Sequence, residues 1–365
     1  MSARAQTLTL GASLLLASGL FLHSAATRAA AQQPTSISAA RVAQAIEQVG
    51  SARLTDEAFR EALATADALV AEGRFDEAAK LFVALADRRP RDPAALYGAA
   101  LATFNAGRAE QAEPLARRAV EVAKSALSDV GDKGAGARQQ RMRVADALVL
   151  LAVVEAVRGD AAEALKAVEL AVALAPEHFD AQLGLGRALF DAGDDAGAAR
   201  AFRAAVALNP GDARARFFLA TALEGEGDTE GALTVYRELA ARQPGVAEGH
   251  LGLGVLLVKR GGVDSETGLA ELRRALEINP NLYEARVTLG RALIARGRLA
   301  ESVEHLRRAA ELAPGVPEPH YQLSLAYRRL GRREEAAAES AIVRQIHETR
   351  RAAGTQAKKP DTPDE

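Results

Sequence analysis

Apolar residues recur three and four positions apart through most of the chain, in blocks separated by short breaks that carry Gly or Pro. That spacing puts one apolar stripe on each block, so the blocks are predicted to be amphipathic α-helices. The blocks pair, and the pair repeats every 34 residues, most clearly in Phe179–Asp212 and the Ala213–Val246 that follows it without a gap. Both copies carry a Leu and a small residue at places 7 and 8 (Leu185-Gly186, Leu219-Ala220) and Gly at place 15 (Gly193, Gly227). Ala stands at place 20 (Ala198, Ala232), an aromatic at place 24 (Phe202, Tyr236) and Pro at place 32 (Pro210, Pro244).

Each mark has a physical reason. Gly at place 15 ends the first helix, because a residue without Cβ enters the left-handed region at little cost. Small residues at places 8 and 20 let the two antiparallel helices approach closely. Pro at place 32 cannot continue the second helix. One such pair cannot bury its apolar stripes, whereas stacked neighbours can.

The same frame places further copies at Phe59–Asp92, Pro93–Ala126, Ala145–His178, Ala247–Leu282, Tyr283–Val316 and Pro317 to about Arg350. Eight place-15 glycines align: Gly73, Gly107, Gly159, Gly193, Gly227, Gly261, Gly297 and Gly331. Gly is 30 of 365 residues, so chance would give one match in about twelve, and eight agreements are not chance. The domain reading is therefore a segment outside the fold at 1–31, a leader with a capping helix at 32–58 and repeats at 59–126. An insertion loop at 127–144, further repeats at 145–350 and a disordered tail at 351–365 complete it. The insertion, Leu127–Val144, holds Gly131, Gly134 and Gly136 ahead of Arg138, Arg141 and Arg143, and reads as a hinge, a partner loop or a tolerated surface insertion.

This pattern resembles the tetratricopeptide repeat, a helix–turn–helix unit. The resemblance implies an all-α fold, a right-handed α-solenoid of about eight repeats that binds a protein or peptide partner in its concave groove. Carried over from the family, places 2, 5, 9, 12 and 13 of each first helix line that groove. They would present Tyr97, Leu101, Phe104 and Asn105; Val149 and Val153; Leu183, Arg187 and Phe190; and Phe217, Thr221 and Glu224. Leu251, Val255 and Lys259, then Val287, Arg291 and Ile294, and finally Tyr321 and Arg328 continue the lining. The family's carboxylate clamp needs paired Asn and Lys or Arg in successive repeats, and only Asn105 is present, which speaks against chaperone-tail recognition. An apolar groove suits an amphipathic segment or a neighbouring protein surface; these side chains could equally cover one another in a tight superhelix. The sequence departs from the family at place 4, usually a large aromatic, where Ala62, Leu96, Leu148, Gln182, Arg216, His250, Arg286 and His320 stand.

Composition narrows the chemistry. Aromatics are only 4% against 48% apolar residues, so Ala, Leu and Val must supply the packing, which suits closely spaced helices. With no Cys there are no disulfides, thiolate metal sites or lipidated cysteine. At the start, Arg4 precedes the apolar run Leu8–Leu22, and Ala29-Ala30-Ala31 fits a small-residue cleavage rule before Gln32. This is the layout of a signal peptide, or of an uncleaved anchor, since Thr7–Ala26 is just long enough to span. Either way the repeats are expected to be exported, periplasmic or secreted, or held at the inner membrane facing the periplasm. Cleavage would remove Arg4 and Arg28 and move the formal charge from −2 to −4, without the one-sign field of a nucleic-acid binder.

Candidate active-site patterns all have plainer readings. The six His form no zinc spacing, and His250 and His320 share one repeat place, which reads as packing register. Gly184 and Gly186 form a G-x-G inside a helix with no strand before it. Asp194-Asp195 and Glu334-Glu335 lie at helix starts, where carboxylates complement the dipole. Arg158-Gly159-Asp160 is explained by the turn Gly and its neighbours. The expectation is thus a scaffold with no catalytic residues, metal or cofactor, an adaptor in a bacterial envelope assembly. The alternative is an accessory or regulatory subunit of an envelope enzyme or of a secretion, pilus or polysaccharide-export complex. Partner and oligomeric state are not encoded in any motif.

Overall fold

The computed structural model describes residues 37–51, 53–130, 134–261 and 266–356. The predicted signal segment, Gly131, Gly262-Val263-Asp264 and most of the predicted tail lie outside them. All regular structure among the described residues is helical. A leader helix, α1 (Ala39–Gly50), precedes α2 (Asp56–Ala71) and α3 (Phe75–Arg88), then α4 (Pro93–Asn105) and α5 (Ala109–Val130). They are followed by α6 (Ala135–Arg158) and α7 (Ala161–Leu174), then α8 (Phe179–Ala192) and α9 (Asp195–Leu208). The second half holds α10 (Ala213–Glu226), α11 (Thr229–Arg242), α12 (Ala247–Arg260), α13 (Glu266–Ile278), α14 (Tyr283–Ala295), α15 (Leu299–Leu312), α16 (Pro317–Arg329) and α17 (Arg333–Gln356). The chain divides into two compact units, Met1–Pro210 and Gly211–Glu365.

Within each unit the two helices of a repeat pack on each other, and first helices of neighbouring repeats lie side by side. The place-15 turn works as its sequence requires at Gly193. Its φ is +88°, its N–H bonds the Phe190 carbonyl at 3.0 Å, and the next N–H, of Asp194, reaches back to Leu189 at 2.9 Å. The Asp194 side chain then accepts the Gly197 N–H at 2.8 Å and starts α9. Asp160 and Asp228 cap α7 and α11 in the same way, so the Arg158-Gly159-Asp160 tripeptide is a turn plus a cap. Gly261 departs from the expectation. It has φ −83°, and its N–H continues the helical pattern to Leu257. This repeat has two extra residues, so the reversal is not forced through one left-handed position.

Two further expectations need correction. The insertion 127–144 is not a loop: α5 runs to Val130 and α6 starts at Ala135, so most of the extra residues lengthen these two helices. Arg138 on the extension reaches Glu177 at 2.9 Å. The tail 351–365 is not wholly irregular either, since α17 continues to Gln356.

The leader helix buries Val42, Ala45 and Val49 against α2 and α3. A polar clip fixes its entry: Arg74 Nη1 donates to the Ile37 carbonyl at 2.6 Å, and the Ile37 N–H donates to Glu72 at 2.6 Å. Polar residues at place 4 are matched as well. Gln182 and Arg286 each donate to the carbonyl of the Pro six residues back, Pro176 and Pro280, at 3.0 and 2.7 Å. His250 and His320 bond the carboxylates of Glu271 and Glu339 through Nδ1, both at 2.6 Å, inside their own repeats. These pairs support the reading of the two His as packing register.

Candidate functional site: the first-helix faces

In the first unit, Tyr97 on α4 stands half-buried beside Asp146 on α6 and Asp180 on α8. Burial, then those two carboxylates, push its hydroxyl well above the usual tyrosine range. Three consecutive first helices thus share one face. Asp146 also accepts from His178 Nε2 at 3.0 Å, which anchors it from behind. Along the same face Phe104, Asn105, Val153, Leu183 and Phe190 are half-buried, and Arg187 is bound to Asp191 at 3.0 Å. Leu101 and Val149, expected to line an open groove, are buried at 8% and 3% and serve as packing.

The second unit repeats the arrangement on α10, α12 and α14. Phe217 is half-buried, 6.0 Å from the Tyr236 ring, and Thr221 Oγ1 lies 3.0 Å from the Tyr236 hydroxyl. Glu224 accepts from Lys259 Nζ at 2.8 Å, across from α10 to α12. Glu284, at the start of α14, faces Glu224, and burial followed by that like charge pushes its carboxyl up to about 7. The helix N-terminus alone would favour the ionised form, so burial and repulsion outweigh it. Val255 is half-buried, Arg291 exposed and Tyr321 54% exposed, while Arg328 donates to Ser324 at 2.9 Å. Leu251, Val287 and Ile294 are corrected in the same sense as Leu101, being buried at 3%, 9% and 3%.

Of the thirteen apolar residues expected on the face, five (Leu101, Val149, Leu251, Val287 and Ile294) are buried and hold the helices together rather than face outward. Place 2 was overlooked by residue-level reasoning. In five of the eight repeats it carries an acid, Asp146, Asp180, Glu248, Glu284 and Glu318, while Arg60, Ala94 and Arg214 stand there in the other three. Gly184 and Gly186 have the plainer role: a Cβ at Gly186 would sit 2.6 Å from the Phe202 ring. No group of three His, Asp or Glu suited to a metal occurs among the described residues. None of the described helices is long and apolar enough to cross a membrane.

The tetratricopeptide repeat model matches residues 63–127, 149–213, 183–247, 217–281, 251–317 and 287–345, more than half of the chain. The chain belongs to the tetratricopeptide repeat family. A tetratricopeptide repeat protein from Parabacteroides merdae ATCC 43184 is similar over 73% of this chain and 98% of its own, at 17% identity and TM-score 0.51. That likeness supports the all-α repeat solenoid. YrrB, described as a tetratricopeptide repeat protein with an unusual peptide-binding site, covers 53% of this chain and all of its own at 21% identity and TM-score 0.41. The MamA protein covers 51% of this chain and 98% of its own at 19% identity and TM-score 0.41. No curated protein matches the chain.

Glu284 gives this repeat protein a pH-dependent stability with a definite sign. Its folded pKa lies above the ordinary carboxyl value of 4.5, so the folded state holds a proton that the unfolded chain releases first. The associated stability is complete below about 4.5 and is lost as pH rises through about 7. Glu284→Gln should therefore raise stability at pH 8 by about 1–3 kcal/mol and leave it nearly unchanged at pH 4. Urea unfolding at the two pH values measures both.

Proposed function

We propose that this tetratricopeptide repeat protein is a non-catalytic scaffold that captures a protein or peptide partner on the concave first-helix faces of its repeats. The observation that carries the reading is the partly open row of Tyr97, Phe104, Leu183 and Phe190 in one unit and Phe217, Val255 and Tyr321 in the other. Large apolar side chains left half-covered on the first-helix face of a unit suit an extended or amphipathic segment. Family membership supports this, as these repeats serve protein–protein contact. The Arg4–Ala31 layout adds the setting: an exported protein, periplasmic or secreted, or anchored with its repeats facing the periplasm.

The test is capture with crosslinking from the native envelope, using the full chain and two variants. Phe217→Asp and the charge reversal Arg187→Glu should each reduce recovery of the recurrent partner about tenfold or more while helicity stays unchanged. Equal recovery by folded variants would sink the reading. The start of the recovered chain, read in the same sample, decides between a cleaved leader beginning at Gln32 and an intact anchor.

A further inference from the structure

We propose that the first-helix face of the second unit selects a basic partner segment, seating a Lys or Arg side chain on Glu284 with apolar neighbours against Phe217 and Val255. The proposal rests on the reading of that face as a binding surface and names the chemistry of its occupant.

The argument is charge matching at a groove with an apolar floor. Four carboxylates belong to this face: Glu224 on α10, Glu248 on α12, Glu284 on α14 and Glu318 on α16. Glu224 is matched by Lys259 at 2.8 Å, and Glu318 accepts from Gln322 of its own helix at 2.8 Å. Glu284 makes no hydrogen bond or ion pair with any described residue, although it is partly withdrawn from water. The charged group it feels is Glu224, of its own sign, and the nearby Tyr236 hydroxyl is held by Thr221. Cations on the surrounding helices do not compensate it. Lys259 is engaged by Glu224, Arg286 donates to the Pro280 carbonyl, Arg328 to Ser324, and exposed Arg291 lies two turns further along α14.

A half-buried carboxylate with no counter-charge is costly when ionised, a cost that either protonation or an incoming cation relieves. A guanidinium or ammonium placed there would be hydrogen-bonded and paired in a partly dry groove, where such contacts are strongest. An acidic segment would instead add to the Glu224–Glu284 repulsion. The row of place-2 acids at one-repeat spacing gives further basic side chains on the same segment somewhere to go, Glu248 and Glu318. Helix-dipole complementarity accounts for an acid at a helix start, but not for one that is withdrawn, repelled and unpaired.

The experiment is selection from a displayed library of random dodecapeptides on the full chain, at pH 8 and low salt, with wild type and Glu284→Gln in parallel. Circular dichroism verifies that both are folded. Wild type should enrich peptides that combine Lys or Arg with large apolar residues. By fluorescence anisotropy such peptides should bind Glu284→Gln about tenfold more weakly. Their affinity for wild type should also fall between pH 8 and pH 6, and that fall should be absent in the variant. Enrichment of apolar or acidic peptides without basic residues, or equal binding of basic peptides to the variant, overturns the basic-partner proposal and leaves the groove reading standing. Failure to enrich any peptide overturns both.

Discussion

Replacing Gly254 with leucine is expected to destabilise the second unit by about 3 kcal/mol, the cost of forcing a large side chain into a closed core contact. Gly254 on α12 and Gly268 on α13 occupy places 8 and 20 of one repeat, where the two helices cross. A Cβ on Gly254 would lie 2.9 Å from the Gly268 carbonyl oxygen and 3.0 Å from the Leu272 nitrogen. A Cβ on Gly268 would lie 3.0 Å from the Gly254 carbonyl oxygen. Both clashes are with backbone, so no rotamer change relieves them, and the helices must separate. Separation in turn uncovers Leu269 and Leu272, each fully buried. Gly315→Ala, where an added Cβ meets nothing within 4 Å, is the matched control and should change stability by less than about 0.5 kcal/mol. Urea unfolding followed by circular dichroism reads both. A Gly254→Leu protein as stable as the control would show that the crossing is looser than its geometry.

The close crossing was legible in the sequence because small residues recur at places 8 and 20, and a period repeated eight times averages out local noise. The same averaging located every turn that follows the period, Gly193 among them. It failed where the period breaks. Gly261 sits beside two extra residues, and the extension from Leu127 to Val144 has the glycines of a loop, yet helices that already pack on their neighbours could lengthen through most of it. Pairing between helices was also out of reach. That Arg138 would reach Glu177 and Arg329 the Ile294 carbonyl depends on how repeats stack, which no single-repeat pattern encodes. For the candidate face, the family frame does not supply the depth of each residue. Leu251 and Ile294 sink into helix contacts while Phe217 remains half-open. Glu284 was missed because an acid in a first helical turn is ordinary by itself; it becomes informative only when Glu224 is seen opposite it.

The second large effect belongs to Glu155, which is fully buried on α6 and is the one acid among the described residues with no exposed surface. Its two oxygens are divided between Arg117 Nη2 on α5 and Arg158 Nη1 on its own helix, the latter at 2.6 Å. Each Arg has an outer partner as well, Glu113 for Arg117 and Glu110 for Arg158. The result is a five-member chain in which only the central charge is dry. It ties the lengthened α5 to the lengthened α6 at the end of the pair remote from the Leu127–Val144 extension. Deleting a surface member should matter little, because exposed pairs contribute about 0–1 kcal/mol. Deleting both cations strands the buried carboxylate, so Arg117→Ala with Arg158→Ala should cost about 3–5 kcal/mol. Adding Glu155→Leu to that double variant should recover most of the loss, since a buried charge is then replaced by an apolar side chain of similar size. Hydrogen exchange of the α6 amides, read together with urea unfolding, localises the effect to the first unit. If the triple variant is no more stable than the double, the loss comes from the arginine stems that pack across α5 and α6, and the buried charge is not what these cations hold in place.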